Sequence, residues 1–184
     1  LRVRIREVAE ENVSKLEGKS DLIAELLTPL PARIVGELLG SSQEDIPDLI
    51  RWAHAINGLY EKGGRISEEK ALHAEAMLGE MREFVRKLVA TRKELQKRRS
   101  LTGEEDVISA LVAQGNEGLT EDELLSTAVT LFVAGHETTT HLLGNGWFAL
   151  LQRPEIIDQA RHRPELIANL VEEMARFDGS VPRS

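Results

Sequence analysis

Apolar residues recur along the chain at steps of three and four, and strict two-residue alternation is almost absent. The pattern predicts a mainly α, multi-helix chain with one long central helix and little or no β. A first helix is expected from Leu1 to Leu16, carrying Val3, Val8, Val13 and Leu16, with Gly18 as its stop. Between Asp21 and Leu39 the apolar residues nearly surround the helix axis, which marks a core helix. Pro29 and Pro31 should bend or break its first half. Gly40 ends that segment, and Ser41 and Ser42 cap another helix that holds Ile46, Leu49, Ile50, Trp52, Ala55 and Ile56 and closes at Gly58.

Gly58 to Ser67, with Gly63 and Gly64 inside it, suits a connection or a lid better than packed structure. Ser67 then opens a long amphipathic helix reaching about Arg98, with Leu72, Met77, Met81, Phe84, Val85, Leu88 and Val89 on or near its apolar side. Leu101 to Gly103 reads as a break and Glu104 to Gln114 as a shorter helix. Thr120 and Glu123 form a capping box, after which the apolar pattern runs without proline to Leu151. That segment would be about 50 Å long and should organise the fold. Pro154 starts a short helix to about His162, and Pro164 starts a last one with Leu166, Ile167, Leu170, Val171, Met174 and Phe177.

Composition narrows the function. With 184 residues, 41% of them hydrophobic, the chain can bury one sizeable core. Its 23 Lys and Arg against 31 Asp and Glu give a net charge of -8, which disfavours nucleic acid as a partner. No apolar run approaches the roughly 20 residues of a membrane span, and Leu1-Arg2-Val3-Arg4 does not read as a signal peptide, so a cytoplasmic setting is expected. The sequence has no cysteine, which removes disulfides, thiolate metal sites and cysteine nucleophiles together. No metal ligand set is predicted. The chain opens at Leu1 and closes just after a helical pattern, so it reads as a fragment.

The long helix carries Gly135, His136, Glu137, Thr138, Thr139, Thr140 and His141 inside a segment otherwise of buried type. A mid-helix glycine and three consecutive threonines lower helix propensity, and such broken local rules gather at functional sites. Gly135 lets a flat ligand approach the backbone, and Thr138 can hydrogen-bond the Ala134 or Gly135 carbonyl and open the helical ladder. Thr130, Ala134 and Thr138 fall four apart on one face with Glu137 beside them. A carboxylate next to a hydroxyl in a groove can relay protons through water. Spacing alone leaves two readings open, that relay and a small-residue packing seam in which Glu137 is merely salt-bridged.

Ala134, Gly135, Glu137 and Thr138 in this order resemble the oxygen-binding helix of cytochromes P450. The resemblance implies a soluble, bacterial-type heme-thiolate monooxygenase that activates dioxygen and hydroxylates or otherwise oxidises a small organic substrate. Its partners would be that substrate, dioxygen and an electron-donor redox protein, with no membrane. By the same resemblance Ala134 and Gly135 border the heme, Thr138 both contacts it and hydrogen-bonds the oxygen on the iron, and Glu137 helps deliver protons. Thr130 and Val133 look toward the substrate pocket.

Glu173 and Arg176, three apart on the last helix, form a weak signal alone, since most such pairs are solvated. Their place after the oxygen-binding helix and a short proline-started helix is similar to the family's Glu-x-x-Arg arrangement, which implies a structural role for the pair beside the heme. Less sharply, the resemblance extends over nearly all of residues 1–184, as a single partial domain. That domain lacks the family's N-terminal part and its C-terminal heme-ligand loop, where the iron-ligating cysteine sits. Two rivals remain. His136, Glu137 and His141 suggest a zinc protease, but the histidines stand five apart instead of four, about 140° around the helix. His54, His73 and His162 are scattered and read as surface or packing residues. The other rival is a non-enzymatic helical remnant that binds a partner or an apolar ligand.

Overall fold

The computed structural model describes residues 1–59, 66–98, 106–114 and 118–180. Positions 60–65 of the expected lid, the expected break at Leu101 to Gly103, and Glu104 lie outside the described residues. Among the described residues there are eight α-helices and no strand: α1 (Arg2–Val13), α2 (Pro29–Leu39), α3 (Ile46–Asn57), α4 (Glu68–Lys97), α5 (Val107–Ala113), α6 (Glu121–Leu151), α7 (Pro154–His162) and α8 (Ile167–Phe177).

Most boundaries fall where the sequence sets them, and two differences have local causes. Helix α1 ends three residues before Leu16. Side chains compete there with its hydrogen-bond ladder: Asn12 Nδ2 donates to the Val8 carbonyl at 2.7 Å and Ser14 Oγ to the Glu11 carbonyl at 2.9 Å. The last turn tightens accordingly, with Lys15 and Leu16 amides bonding three residues back. The predicted core segment from Asp21 is split. Residues Ile23–Leu27 form a π-helical turn closed by the Thr28 amide on the Ile23 carbonyl at 2.9 Å. The turn cannot run on as a continuous ladder because Pro29 and Pro31 bring no amide protons, so α2 begins afresh at Pro29.

The caps behave as their residues require. Ser67 Oγ accepts from the Lys70 amide at 3.2 Å. Thr120 and Glu123 bond reciprocally, the Thr120 amide donating to Glu123 Oε2 at 2.9 Å and the Glu123 amide to Thr120 Oγ1 at 3.3 Å. Gly40 ends α2 in the left-handed region at φ 86. A Cβ there would stand 2.4 Å from Asp106 Oδ2 and 2.5 Å from Arg92 Nη2, so glycine is required both by backbone and by space. Those two side chains staple α4 to the start of α5: Arg92 Nη2 donates to Asp106 Oδ2 at 2.7 Å and to the Gly40 carbonyl at 3.1 Å. Asp106 in turn caps α5 by accepting from the Ser109 amide at 2.7 Å.

The core is one cluster. Leu124, Leu125, Ala128, Val129 and Phe132 of α6 meet Ala32 and Leu39 of α2, Leu49, Trp52 and Ala53 of α3, Met77, Met81, Val85 and Val89 of α4, and Ile108 and Val112 of α5. Trp52 is anchored at its polar end by donating Nε1 to Glu80 Oε2 at 2.8 Å. Helix α6, with 31 residues and so about 46 Å long, passes beyond this cluster. Its C-terminal part carries α7 and α8, neither of which has a buried residue. Helix α8 reaches α6 at Gly146, where a Cβ would stand 1.8 Å from Met174 Cε. No helix among the described residues is long and apolar enough to cross a membrane.

Candidate functional site

Up to the middle of α6 the buried residues fall at Leu124, Leu125, Ala128, Val129, Phe132 and His136, the three and four spacing of one face, and Gly146 is buried further on, under α8. The other face is open. Thr130, Leu131, Ala134 and His141 are exposed, and Thr138, four residues after Ala134, is partly buried on the same strip. Thr130, Ala134 and Thr138 are thus brought together as their spacing predicts. Val133 is turned aside and packs, partly buried, against the core cluster.

The predicted hydrogen bond forms, and the predicted break in the helix does not. Thr138 Oγ1 donates to the Ala134 carbonyl at 2.5 Å, Thr139 Oγ1 to the Gly135 carbonyl at 2.8 Å and Thr140 Oγ1 to the His136 carbonyl at 3.1 Å. The residues remain α-helical throughout Glu121–Leu151. Three successive hydroxyls bonded back one turn can coexist with the ladder because each carbonyl has a second lone pair. Gly135 also has a role that the sequence alone did not supply. A Cβ on it would meet Val35 Cγ2 of α2 at 3.2 Å, so its missing side chain admits the neighbouring helix, while the strip through Ala134 lies on another side.

Glu137 stands between the buried and open faces, its side chain 21% exposed. Two imidazoles approach the same carboxylate oxygen. His54 Nδ1, in the last turn of α3, lies 3.9 Å from Glu137 Oε1, and His141 Nε2, one turn along α6, lies 4.0 Å from it. The second contact was legible as a four-residue spacing. The first was not: nothing in the sequence links His54 to Glu137, and only the packing of α3 on α6 joins them. Among the described residues no group of three His, Cys, Asp or Glu side chains could hold a metal ion.

His136 points the other way. Its side chain is buried, 4% exposed, and its ring lies 5.6 Å from that of Phe132. Neither ring nitrogen has a hydrogen-bond partner. Burial pushes its pKa down to about 4; the Thr28 backbone, near the ring although outside hydrogen-bond geometry, opposes the shift, and the charges of His141 and His54 add to it. His136 is a neutral core side chain at ordinary pH, and its burial turns it away from His141, as the five-residue spacing requires.

Glu173 and Arg176 do pair on α8. Arg176 Nε donates to Glu173 Oε2 at 2.7 Å and Nη2 to Glu173 Oε1 at 2.6 Å, a bidentate fork that holds the Glu173 carboxyl below its usual range. Both side chains are exposed. Beside them Asn145, Gly146, Ala149, Leu170, Met174 and Phe177 line a shallow hollow between α6 and α8.

Comparison with known proteins gives a consistent result. Residues 66–168 match the family described as Cytochrome P450. The chain is 33% identical over 98% of its length to the cytochrome P450 monooxygenase PikC of Streptomyces venezuelae. It is 35% identical over 96% of its length to the mycinamicin IV hydroxylase/epoxidase of Micromonospora griseorubida. It spans only 41% and 42% of those relatives' own lengths. Among solved structures, the myxobacterial cytochrome P450 CYP267B1 in complex with myristic acid superposes with a TM-score of 0.83 at 31% identity, over 97% of this chain and 42% of that one. P450BioI, in complex with an acyl carrier protein carrying hexadec-9Z-enoic acid, superposes with a TM-score of 0.76 at 30% identity, over 96% of this chain and 44% of that one.

Proposed function

The chain belongs to the cytochrome P450 family, and we propose that it is the central, oxygen-facing portion of a longer heme-dependent monooxygenase that oxidises a small organic substrate. The observation that carries the reading is the open strip on α6. Ala134 and Thr138 stand on it one turn apart, with Glu137 at its margin, opposite the face on which Phe132 and His136 are buried.

The residues present fit one side of a heme. Ala134 offers only a methyl group, Thr138 a hydroxyl, and a Cβ on Gly135 would meet nothing but Val35, so no bulky group of this turn stands over the strip. They do not supply the iron's thiolate, since the sequence contains no cysteine; in this reading that ligand belongs to a part of the longer protein outside this chain. A bound heme supplies the redox chemistry that divides dioxygen, one atom entering the substrate and the other leaving as water, with electrons from a separate redox protein.

The chain's own residues manage protons and position. The Thr138 hydroxyl, parked on the Ala134 carbonyl, can rotate about χ1 toward the strip and present its proton there. Glu137, half-sheltered beside it, recharges that hydroxyl from the solvent side. Thr130 borders the substrate end of the strip and Val133 backs it from the core. Glu173 and Arg176 act on the fold around the heme and not on the chemistry.

Two measurements on the longer protein containing this chain test the proposal. The carbon-monoxide difference spectrum of the reduced protein should carry the band of heme-thiolate iron, and its absence would end the oxygenase reading. Thr138→Ala should divert reducing equivalents into hydrogen peroxide; unchanged coupling removes Thr138 from the mechanism.

A further inference from the structure

Two asparagine-glycine pairs occur on described helices, Asn57–Gly58 and Asn145–Gly146, in opposite surroundings. Such a pair has a chemistry of its own in water. The backbone nitrogen of the second residue can attack the side-chain carbonyl carbon of the asparagine, and glycine leaves that nitrogen unshielded because it has no Cβ. Attack requires the amide to give up its proton and the backbone to leave the helical conformation. A secure helix therefore suppresses it, and a helix end that opens readily permits it.

Asn145 and Gly146 lie inside α6, more than a turn from either end. Gly146 is buried beneath α8, where a Cβ would stand 1.8 Å from Met174 Cε, so moving that backbone means lifting α8 off α6. Asn57 is instead the last residue of α3 and Gly58 its C-cap. The Gly58 amide donates to the His54 carbonyl at 3.0 Å, and the next amide, of Leu59, already bonds three residues back to Ile56 at 3.1 Å, so the ladder is ending there. A Cβ on Gly58 would meet only carbonyls of its own helix, Ala55 at 3.3 Å and His54 at 3.6 Å. No other element among the described residues holds it. The Asn57 side chain is partly exposed and has no hydrogen-bond partner among the described residues. Asn12, by contrast, donates its side-chain nitrogen to the Val8 carbonyl at 2.7 Å and precedes the β-branched Val13.

We propose that Asn57–Gly58 is a site of spontaneous succinimide formation, and that the identical pair in α6 is shielded from it. The Gly58 nitrogen bonds to Asn57 Cγ while the Cγ–Nδ2 bond breaks, and Nδ2 leaves as ammonia with the proton that Gly58 gave up. Water then opens the five-membered imide at either carbonyl, leaving aspartate or isoaspartate at position 57. One water is consumed, one ammonia is released and nothing is oxidised or reduced. The reaction needs neither heme nor substrate, so it stands apart from the oxygenase reading. Either product puts a new carboxylate at the C-terminal end of α3, where the helix dipole disfavours negative charge. Isoaspartate also lengthens the main chain by one methylene, which takes the Gly58 amide out of register with the His54 carbonyl. The turn that loosens is the one that sets His54 Nδ1 3.9 Å from Glu137 Oε1.

The test incubates the folded longer protein containing this chain in isotopically labelled water at mildly alkaline pH. Its peptides are mapped by mass, and isoaspartate is scored by enzymatic methylation. Asn57 should convert at least about tenfold faster than Asn145, because a terminal turn opens far more often than a buried stretch of helix. In denaturant the two should convert at similar rates. Asn57→Gln, whose longer side chain closes no five-membered imide, should leave position 57 intact and keep the amide-exchange protection at the end of α3 that the aged wild type loses. An Asn57 that persists in the folded protein, or that converts no faster than Asn145, overturns the proposal. So does a ratio of rates unchanged by denaturant, since the selectivity would then lie in the local sequence and not in the fold.

Discussion

The two ends of α6 live in different surroundings, and the proposed site lies where they meet. At its N-terminal end Leu124, Leu125, Ala128, Val129 and Phe132 are sealed by α2, α3, α4 and α5. Toward its C-terminus Phe148 is 70% exposed and Leu151 is exposed, and the helices beyond add exposed Ile167, Val171 and Phe177. One continuous helix thus serves as a core beam at one end and as an open platform at the other. The Glu137 carboxylate and the Thr138 hydroxyl stand at the crossing, each partly buried.

Substitutions on the two sides should therefore differ sharply in cost. Phe132→Ala, at a fully buried position, should lower the unfolding free energy by about 3–5 kcal/mol in denaturant titrations, whereas Phe148→Ala should stay within about 0.5 kcal/mol. Equal losses would erase the contrast. Arg92→Ala leaves Asp106, 5% exposed, without its ion pair at the α4–α5 junction, and about 3 kcal/mol should go. A conservative Arg92→Lys that rescued the loss fully would reduce the staple to simple charge.

His136 sharpens the comparison through pH. With its folded pKa depressed to about 4 from the ordinary 6.5 or so, it is neutral in both states above that ordinary value and contributes no slope there. As pH falls below it the unfolded chain takes up the proton first, so stability is lost down to pH 4 and then levels. The loss should be about 3 kcal/mol, and His136→Gln should show a flatter profile over the same range. The smallest effect belongs to the platform: Arg176→Ala should leave the melting temperature of this chain unchanged, because the Glu173–Arg176 fork is solvent-screened. A clear drop in melting temperature would show that α8 is held more firmly than its exposure implies.

Much of the fold was legible because helices announce themselves locally. The spacing of Met77, Met81, Val85 and Val89 defined the buried side of α4, and Thr120 with Glu123 marked the start of α6. Gly40 and Pro29 did the same for the two ends of α2. The early end of α1 was not visible, since whether Asn12 bonds its own helix depends on a choice of side-chain partner that periodicity does not encode. The site was half legible. Ala134, Thr138 and Glu137 followed from spacing on one helix, and so did the turning apart of His136 and His141. That Gly135 receives Val35, that Val133 turns to the core and that His54 reaches Glu137 each needed a second helix in place.

The sequence by itself determined the helices, their caps and breaks, the strip of small and hydroxyl residues along α6, and membership of the family. Those features depend on residues within one or two turns of each other, where backbone geometry fixes the separation. Only the tertiary structure decided which side of α6 is sealed, what fills the glycine notch and which histidine stands beside the carboxylate, because those distances are set by how helices far apart in the chain pack together.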